Sequence, residues 1–112
     1  MTFAKACALA DLENGKPFPA TVGDVDVAIV RDGEELYAIQ DECSHAAIPL
    51  SEGDVEGCLI ECWLHGSTFD LRSGKPTTLP AFEPVPVYAV RVDGDDVLVD
   101  VENPLNTSDL PD

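Results

Sequence analysis

Valine, isoleucine and aromatic residues fall in short runs along the chain, each closed by a turn signal, which is the pattern of an all-β domain. Residues 3–9, 18–22, 25–31, 35–40, 58–62, 68–71, 85–92 and 97–101 are predicted as strands. The period of two is clear in 35–40, where Leu36 and Ala38 fall on one face and Tyr37 and Ile39 on the other. Gly23-Asp24, Asp32-Gly33, Ser73-Gly74-Lys75-Pro76 and Asp93-Gly94 supply turns. A turn or single helical turn is predicted within 11–15. No stretch of ten or more residues keeps a helical period. Pro80, Pro84 and Pro86 stiffen one connection and should confine any strand there to an edge. Residues 103–112 are polar, carry two prolines and are predicted to be a loose tail, leaving residues 1–102 as the domain.

Composition narrows what such a domain does. The 112 residues suffice for one domain with a core of its own. With 22 Asp and Glu against 6 Lys and Arg, the formal charge is −16. Nucleic acid and anionic membrane surfaces both demand clustered cations, so neither is expected as a partner. A basic protein surface is the natural complement, with an attraction that weakens as salt rises. The opening residues have too short an apolar run for a signal peptide, and no run nears the roughly 20 residues of a membrane span. A cytoplasmic protein is expected. In that compartment four cysteines are more often metal ligands or reduced thiols than disulfides.

Both histidines of the chain stand beside two of those cysteines. The pattern is Cys43-Ser44-His45, sixteen intervening residues, then Cys62-Trp63-Leu64-His65. Two strand-ended loops could bring two thiolates and two imidazoles to one point. Such a donor set suits a tetrahedral zinc or an iron–sulfur cluster. Structural zinc sites favour paired Cys-x2–4-Cys or His-x3–5-His spacings, whereas here each pair is mixed. In a two-iron cluster a mixed pair has a use, because each loop can give its Cys to one iron and its His to the other.

The run Cys43-Ser-His45…Cys62-Trp-Leu-His65-Gly66-Ser67-Thr68-Phe69-Asp70 resembles the Rieske [2Fe–2S] signature, Cys-x-His, 15 to 17 residues, Cys-x-x-His. The likeness continues through the turn at residues 69–76 and the Pro-Val-Pro-Val-Tyr run at 84–88. It implies a small all-β domain of stacked antiparallel sheets, with one [2Fe–2S] cluster per subunit at the tip of two loops. It also implies that Cys43 and Cys62 bind the inner iron and His45 and His65 the outer one. Respiratory-complex Rieske proteins carry two further cysteines joined as a disulfide. Ile48 and Leu64 hold those positions here and cannot bridge. Phe69 stands where the high-potential proteins have a tyrosine, which removes one hydrogen bond to a cluster sulfur, although Ser67 could still donate one. These departures make the chain similar to the low-potential ferredoxins of bacterial ring-hydroxylating dioxygenases.

Charge supports that class. Two imidazoles in place of two thiolates raise the potential above the roughly −400 mV of plant-type ferredoxins. Asp41, Glu42, Glu52, Asp54, Glu56 and Glu61 lie in residues 41–65, which hold no Lys or Arg. Their field opposes an added electron, so a potential near the low Rieske limit of about −150 mV is expected. Both histidines are spent on the cluster, and the chain is too short for a catalytic iron domain, so a monomeric electron carrier is expected rather than an enzyme. Its implied partners are a basic-surfaced NAD(P)H-dependent flavin reductase and a terminal oxygenase. A housekeeping client such as iron–sulfur cluster assembly is the alternative, and a zinc-stapled interaction module is the alternative of another class. Cys7 and Cys58 read as small buried packing residues within strands. Ala46 and Ala47 would leave the tip open, with Ile48, Trp63 and Leu64 as an apolar rim for docking or as loop packing, and Gly66 reads as a turn residue.

Overall fold

The computed structural model describes residues 3–33, 35–42, 49–62, 68–77, 84–102 and 104–106. Among these the chain is nearly all strand, with two single 3-10 turns at Leu9–Asp11 and Leu50–Glu52. Strands β1 (Ala4–Ala8), β2 (Pro17–Val22), β3 (Val25–Asp32), β4 (Glu35–Gln40), β8 (Val87–Asp93) and β9 (Asp96–Asp100) form one sheet in the order β1-β9-β8-β4-β3-β2. Strands β5 (Val55–Glu56), β6 (Leu59–Glu61) and β7 (Thr68–Asp70) form a second, smaller sheet. Every pairing between these strands is antiparallel. This is the all-β class the periodicity called for, with the stacked antiparallel sheets that the family resemblance implied.

The large sheet curls until its edge strands β1 and β2 approach each other. Its concave side encloses one core, made of Cys7, Leu12, Val22, Val27, Ile29, Ala38, Tyr88, Val97 and Val99. The second core lies on the opposite face and holds Ala28, Val30, Ile39, Leu50, Ile60, Cys62, Phe69, Leu71, Val85 and Val87. Strand alternation explains the division. In β3, Val27 and Ile29 enter the first core while Ala28 and Val30 enter the second. Residues 27–30 are therefore wholly buried in succession, and the apolar run Val-Ala-Ile-Val is what a strand covered on both faces requires.

Both sheet edges carry devices against further pairing. Strand β2 contains Pro17 and Pro19, which cannot donate to a ladder, and it occupies an edge where that loss is tolerated. Strand β1 has a register irregularity between Lys5 and Cys7.

Several expectations change in the folded chain. The strand predicted at 85–92 begins only at Val87, because Pro84-Val85-Pro86 precede it as irregular chain. It is not an edge strand. It lies between β4 and β9, although it pairs with β4 only at Ala38↔Tyr88 and Ile39↔Val87. The first helical turn comes earlier than 11–15, and Cys58 precedes β6 rather than belonging to it.

The tail expectation also fails at its start. Asn106 is buried, its Oδ1 accepts the Val87 N–H at 3.0 Å, and its Nδ2 donates to the carbonyls of Ser73 and Val85, each at 2.9 Å. The Leu105 N–H donates to the Val87 carbonyl at 2.7 Å. The ordered domain thus reaches beyond residue 102, while 107–112 lie outside the described residues. No helix among the described residues is long and apolar enough to cross a membrane.

Truncating a wholly buried side chain in the first core tests the division of cores. Ile29→Ala should cost about 2–5 kcal/mol, read as a lower urea midpoint with an unchanged slope.

Candidate metal centre

Cys43, His45 and His65 lie outside the described residues, as do Ala46, Ala47, Ile48, Trp63, Leu64, Gly66 and Ser67. What the structure describes is the frame that carries them. The first pair follows β4 in the large sheet, and the second belongs to the connection between β6 and β7 in the small one. The first candidate segment therefore leads from the large sheet to the small one, and the second lies within the small one.

The first frame is closed by one carboxylate. After β4, the Gln40 N–H donates to the Pro86 carbonyl and the Asp41 N–H to the Asp26 carbonyl, both at 2.9 Å. Asp41 then accepts the Ser51 N–H on Oδ1 at 2.6 Å and the Ser51 hydroxyl on Oδ2 at 2.7 Å. These charge-assisted bonds tie the two ends of the segment that contains Cys43 and His45. Just beyond it, Leu50 is wholly buried in the second core.

The second frame is a hairpin. Strand β6 pairs with β7 through Glu61↔Thr68, so residues 62–67 form its connection. The Glu61 N–H donates to the Asp54 carbonyl at 2.8 Å, and the Thr77 N–H donates to the Thr68 carbonyl at 2.7 Å. The hydroxyls of Thr68 and Thr77 also hydrogen-bond to each other. Gly53 passes so close to this hairpin that a Cβ would run into the Glu61 carbonyl oxygen and approach the Leu50 carbonyl oxygen to 3.3 Å. Glycine is required there by space, since its φ of −89° suits any residue.

Cys62 is the one expected ligand among the described residues. It is free of any disulfide and wholly buried in the core that holds Leu50, Ile60, Phe69 and Leu71. The ends of both frames thus meet in one apolar layer, with Leu50 from the first and Cys62 from the second. A buried free thiol at that junction fits the inner end of a thiolate-bound cluster. Phe69 is wholly buried in the same layer and offers no hydroxyl.

The remaining cysteines stand apart from this layer. Cys7 packs in the first core, and burial, then the charge of Asp11, push its thiol pKa up, with Lys5 opposing. It is a neutral packing residue. Cys58 is half-buried, and its carbonyl accepts the Leu71 N–H at 2.7 Å.

The acidic surface is arranged differently from its order in sequence. Glu42, Glu52, Asp54, Glu56 and Glu61 are exposed, but Asp41 is half-buried and occupied with Ser51, so its role is structural. The structure adds two acids that a sequence window misses. Asp24 and Asp26, from the β2–β3 hairpin, line a polar cavity of about 240 Å³ with Val25, Gln40, Asp41 and Glu42. The register Val27↔Gln40 is what brings 24–26 beside 41–42. The same register sends Arg31 to the far end of β3, and Lys16 follows Gly15, whose N–H donates to the Arg31 carbonyl.

Comparison with known proteins agrees with this frame. The Rieske [2Fe–2S] domain profile matches residues 2–89. The ferredoxin component of biphenyl 2,3-dioxygenase from Rhodococcus jostii (strain RHA1) is 40% identical over 107 residues, covering 96% of this chain and 100% of that protein. The ferredoxin of carbazole 1,9a-dioxygenase from Nocardioides aromaticivorans IC177 superposes with a TM-score of 0.84 at 42% identity, covering 88% of this chain and 97% of that one. A complex of reduced oxygenase and oxidized ferredoxin in carbazole 1,9a-dioxygenase contains a chain matching with a TM-score of 0.84 at 36% identity, covering 92% of this chain and 96% of that one. This chain belongs to the Rieske [2Fe–2S] family. Its cofactor is a [2Fe–2S] cluster, and it is an electron carrier rather than a catalyst. The zinc-stapled alternative falls with that assignment.

Because Gly53 has no room for a side chain, Gly53→Ala should displace β6 just ahead of Cys62. Expected are a loss of about 2–4 kcal/mol in urea unfolding and a lower iron content per purified chain than in the unmodified protein.

Proposed function

We propose that this chain is the ferredoxin component of a multicomponent ring-hydroxylating dioxygenase, carrying one electron at a time from a flavin reductase to a terminal oxygenase. The observation that carries this reading is the 40% identity, over nearly the full length of both chains, to the ferredoxin component of a biphenyl dioxygenase. The oxygenase–ferredoxin complex of the carbazole system is a precedent for the partner class. When bound, the cluster supplies a one-electron couple.

In this reading Cys43 and Cys62 would hold one iron of the cluster and His45 and His65 the other. The protein frame acts on them in three ways. Asp41 and Ser51 close the first segment, β6 and β7 fix the second, and the shared apolar layer keeps water from the Cys62 side. His45 and His65 would be the ligands through which a bound cluster exchanges its electron with a partner. The exposed acids Asp24, Asp26, Glu42, Glu52, Asp54, Glu56 and Glu61 meet basic surfaces on the reductase and the oxygenase. The carrier works as a cytoplasmic monomer.

Redox titration, iron analysis and electron paramagnetic resonance test the assignment together. Two irons per chain, a rhombic Rieske signal in the reduced state and a potential near about −150 mV are expected. A potential above roughly +100 mV would remove the chain from the low-potential class. His45→Cys and His65→Cys should each lower the potential, because a thiolate adds negative charge to the site.

Docking has its own readout. Glu52→Gln, Asp54→Asn and Glu56→Gln combined should slow reduction by the reductase several-fold at low ionic strength and flatten its salt dependence. Stopped-flow rates that do not change at low salt would refute electrostatic docking at this face.

A further inference from the structure

One candidate ligand segment starts from the large sheet and the other lies within the small one, so something must fix one sheet against the other. An apolar layer does this loosely, since apolar contact has no directional preference. Directional bonds between the sheets specify position much more sharply. Asn106 makes such bonds on both sides.

On the large-sheet side, Asn106 Oδ1 accepts the N–H of Val87. Val87 is the cross-strand partner of Ile39, and β4 runs from Ile39 through Gln40 towards Cys43. On the small-sheet side, Asn106 Nδ2 donates to the carbonyl of Ser73, in the turn that follows β7. That turn is bonded back to β7 by the Gly74 N–H to the Asp70 carbonyl at 2.7 Å and the Asp70 N–H to the Lys75 carbonyl at 2.9 Å. Strand β7 begins at Thr68, three residues after His65. The second Nδ2 hydrogen goes to the Val85 carbonyl, and the Val85 N–H donates to the Gly74 carbonyl at 2.8 Å, which closes the ring of contacts.

The fit at this point is tight. Gly74 has φ +75°, and a Cβ there would run into the Val85 carbonyl oxygen and lie 2.8 Å from both Asn106 Nδ2 and a methyl of Val87. Asn106 itself is 7% exposed, and only a side-chain amide supplies one acceptor and two donors at this reach. Aspartate would keep the acceptor but turn a carboxylate towards two carbonyls. Alanine would leave the Val87 N–H without its partner in the interior.

From this geometry we propose that Asn106 is a positioning residue for the cluster, setting the Cys43–His45 segment and the Cys62–His65 segment at a fixed separation. The proposal rests on those four residues being the ligands. Residue 106 lies outside the stretch matched by the family profile, which ends at 89. The bridge is thus made by a part of the chain that the ligand motif does not reach.

The test compares cluster-loaded wild type with Asn106→Ala, Asn106→Asp and, as a control, Val97→Ala, which removes wholly buried volume from the other core. Cluster release into excess chelator should be at least about tenfold faster in both Asn106 variants, with shifted or broadened g-values in the reduced state. Val97→Ala should lower the unfolding midpoint yet leave release and g-values at wild-type values. Equal release rates and spectra in Asn106→Ala and Val97→Ala, at matched unfolding midpoints, would overturn the proposal. If neither Asn106 variant folds, amide exchange on the wild-type holoprotein decides. The Val87, Gly74 and Thr77 N–H groups should exchange as one opening unit, within about threefold of one another, and a spread above about tenfold would overturn it. Wild type that holds no [2Fe–2S] cluster would defeat the ligand assignment instead, which separates the two failures.

Discussion

The proposed site depends on one constraint: a segment that leaves the large sheet and a hairpin of the small sheet must converge on a single rigid group. The layer made by Ile39, Leu50, Ile60, Cys62, Phe69, Leu71, Val85 and Val87 holds the two sheets together, because it draws from both sheets and from the segment between them, and the Asn106 bonds add direction to that contact. Strand β4 makes the connection direct. Its Ile39 faces this layer while its neighbour Ala38 faces the curled interior, so the strand that leads to the first ligands is held from both sides. The small sheet could not stand alone, since its three strands have only two or three residues each. It exists because it is packed on the large one.

Much of this was legible in the sequence. The large sheet was readable from the apolar run in residues 25–31 and the alternation in 35–40, and the hairpin turns from their glycines. The proposed ligand set was readable for a different reason. Each Cys lies one or two residues from its His, so the chemistry is written in local spacing, whatever the distance between loops. Strand β5 left no such mark, because two residues carry no period and Val55–Glu56 is a strand only through its pairing with β6. The burial of Asn106 was equally hidden. A polar residue among prolines reads as tail until the Ser73–Gly74 turn and Val85–Val87, 19 to 33 positions earlier, come into reach.

The acids show the same limit from another direction. A window of sequence groups Asp41 with Glu42, yet folding gives them opposite tasks, one as an internal tie and one as surface charge. It separates Asp24 and Asp26 from the cluster segment, yet the β3–β4 register returns them to its side. Net charge is a property of composition, while an electrostatic face is a property of strand order.

Pro17 and Pro19 on β2, with the register slip in β1, bear on how such a molecule is used. A carrier must touch two different proteins in turn and leave each promptly. An open strand edge is indifferent to sequence and would invite lasting pairing with any exposed strand, including one on another copy of itself. Removing donors from one edge and breaking the rhythm of the other denies that indiscriminate adhesion. In the proposed role, what remains for contact is charge, which forms quickly, responds to salt and lets go.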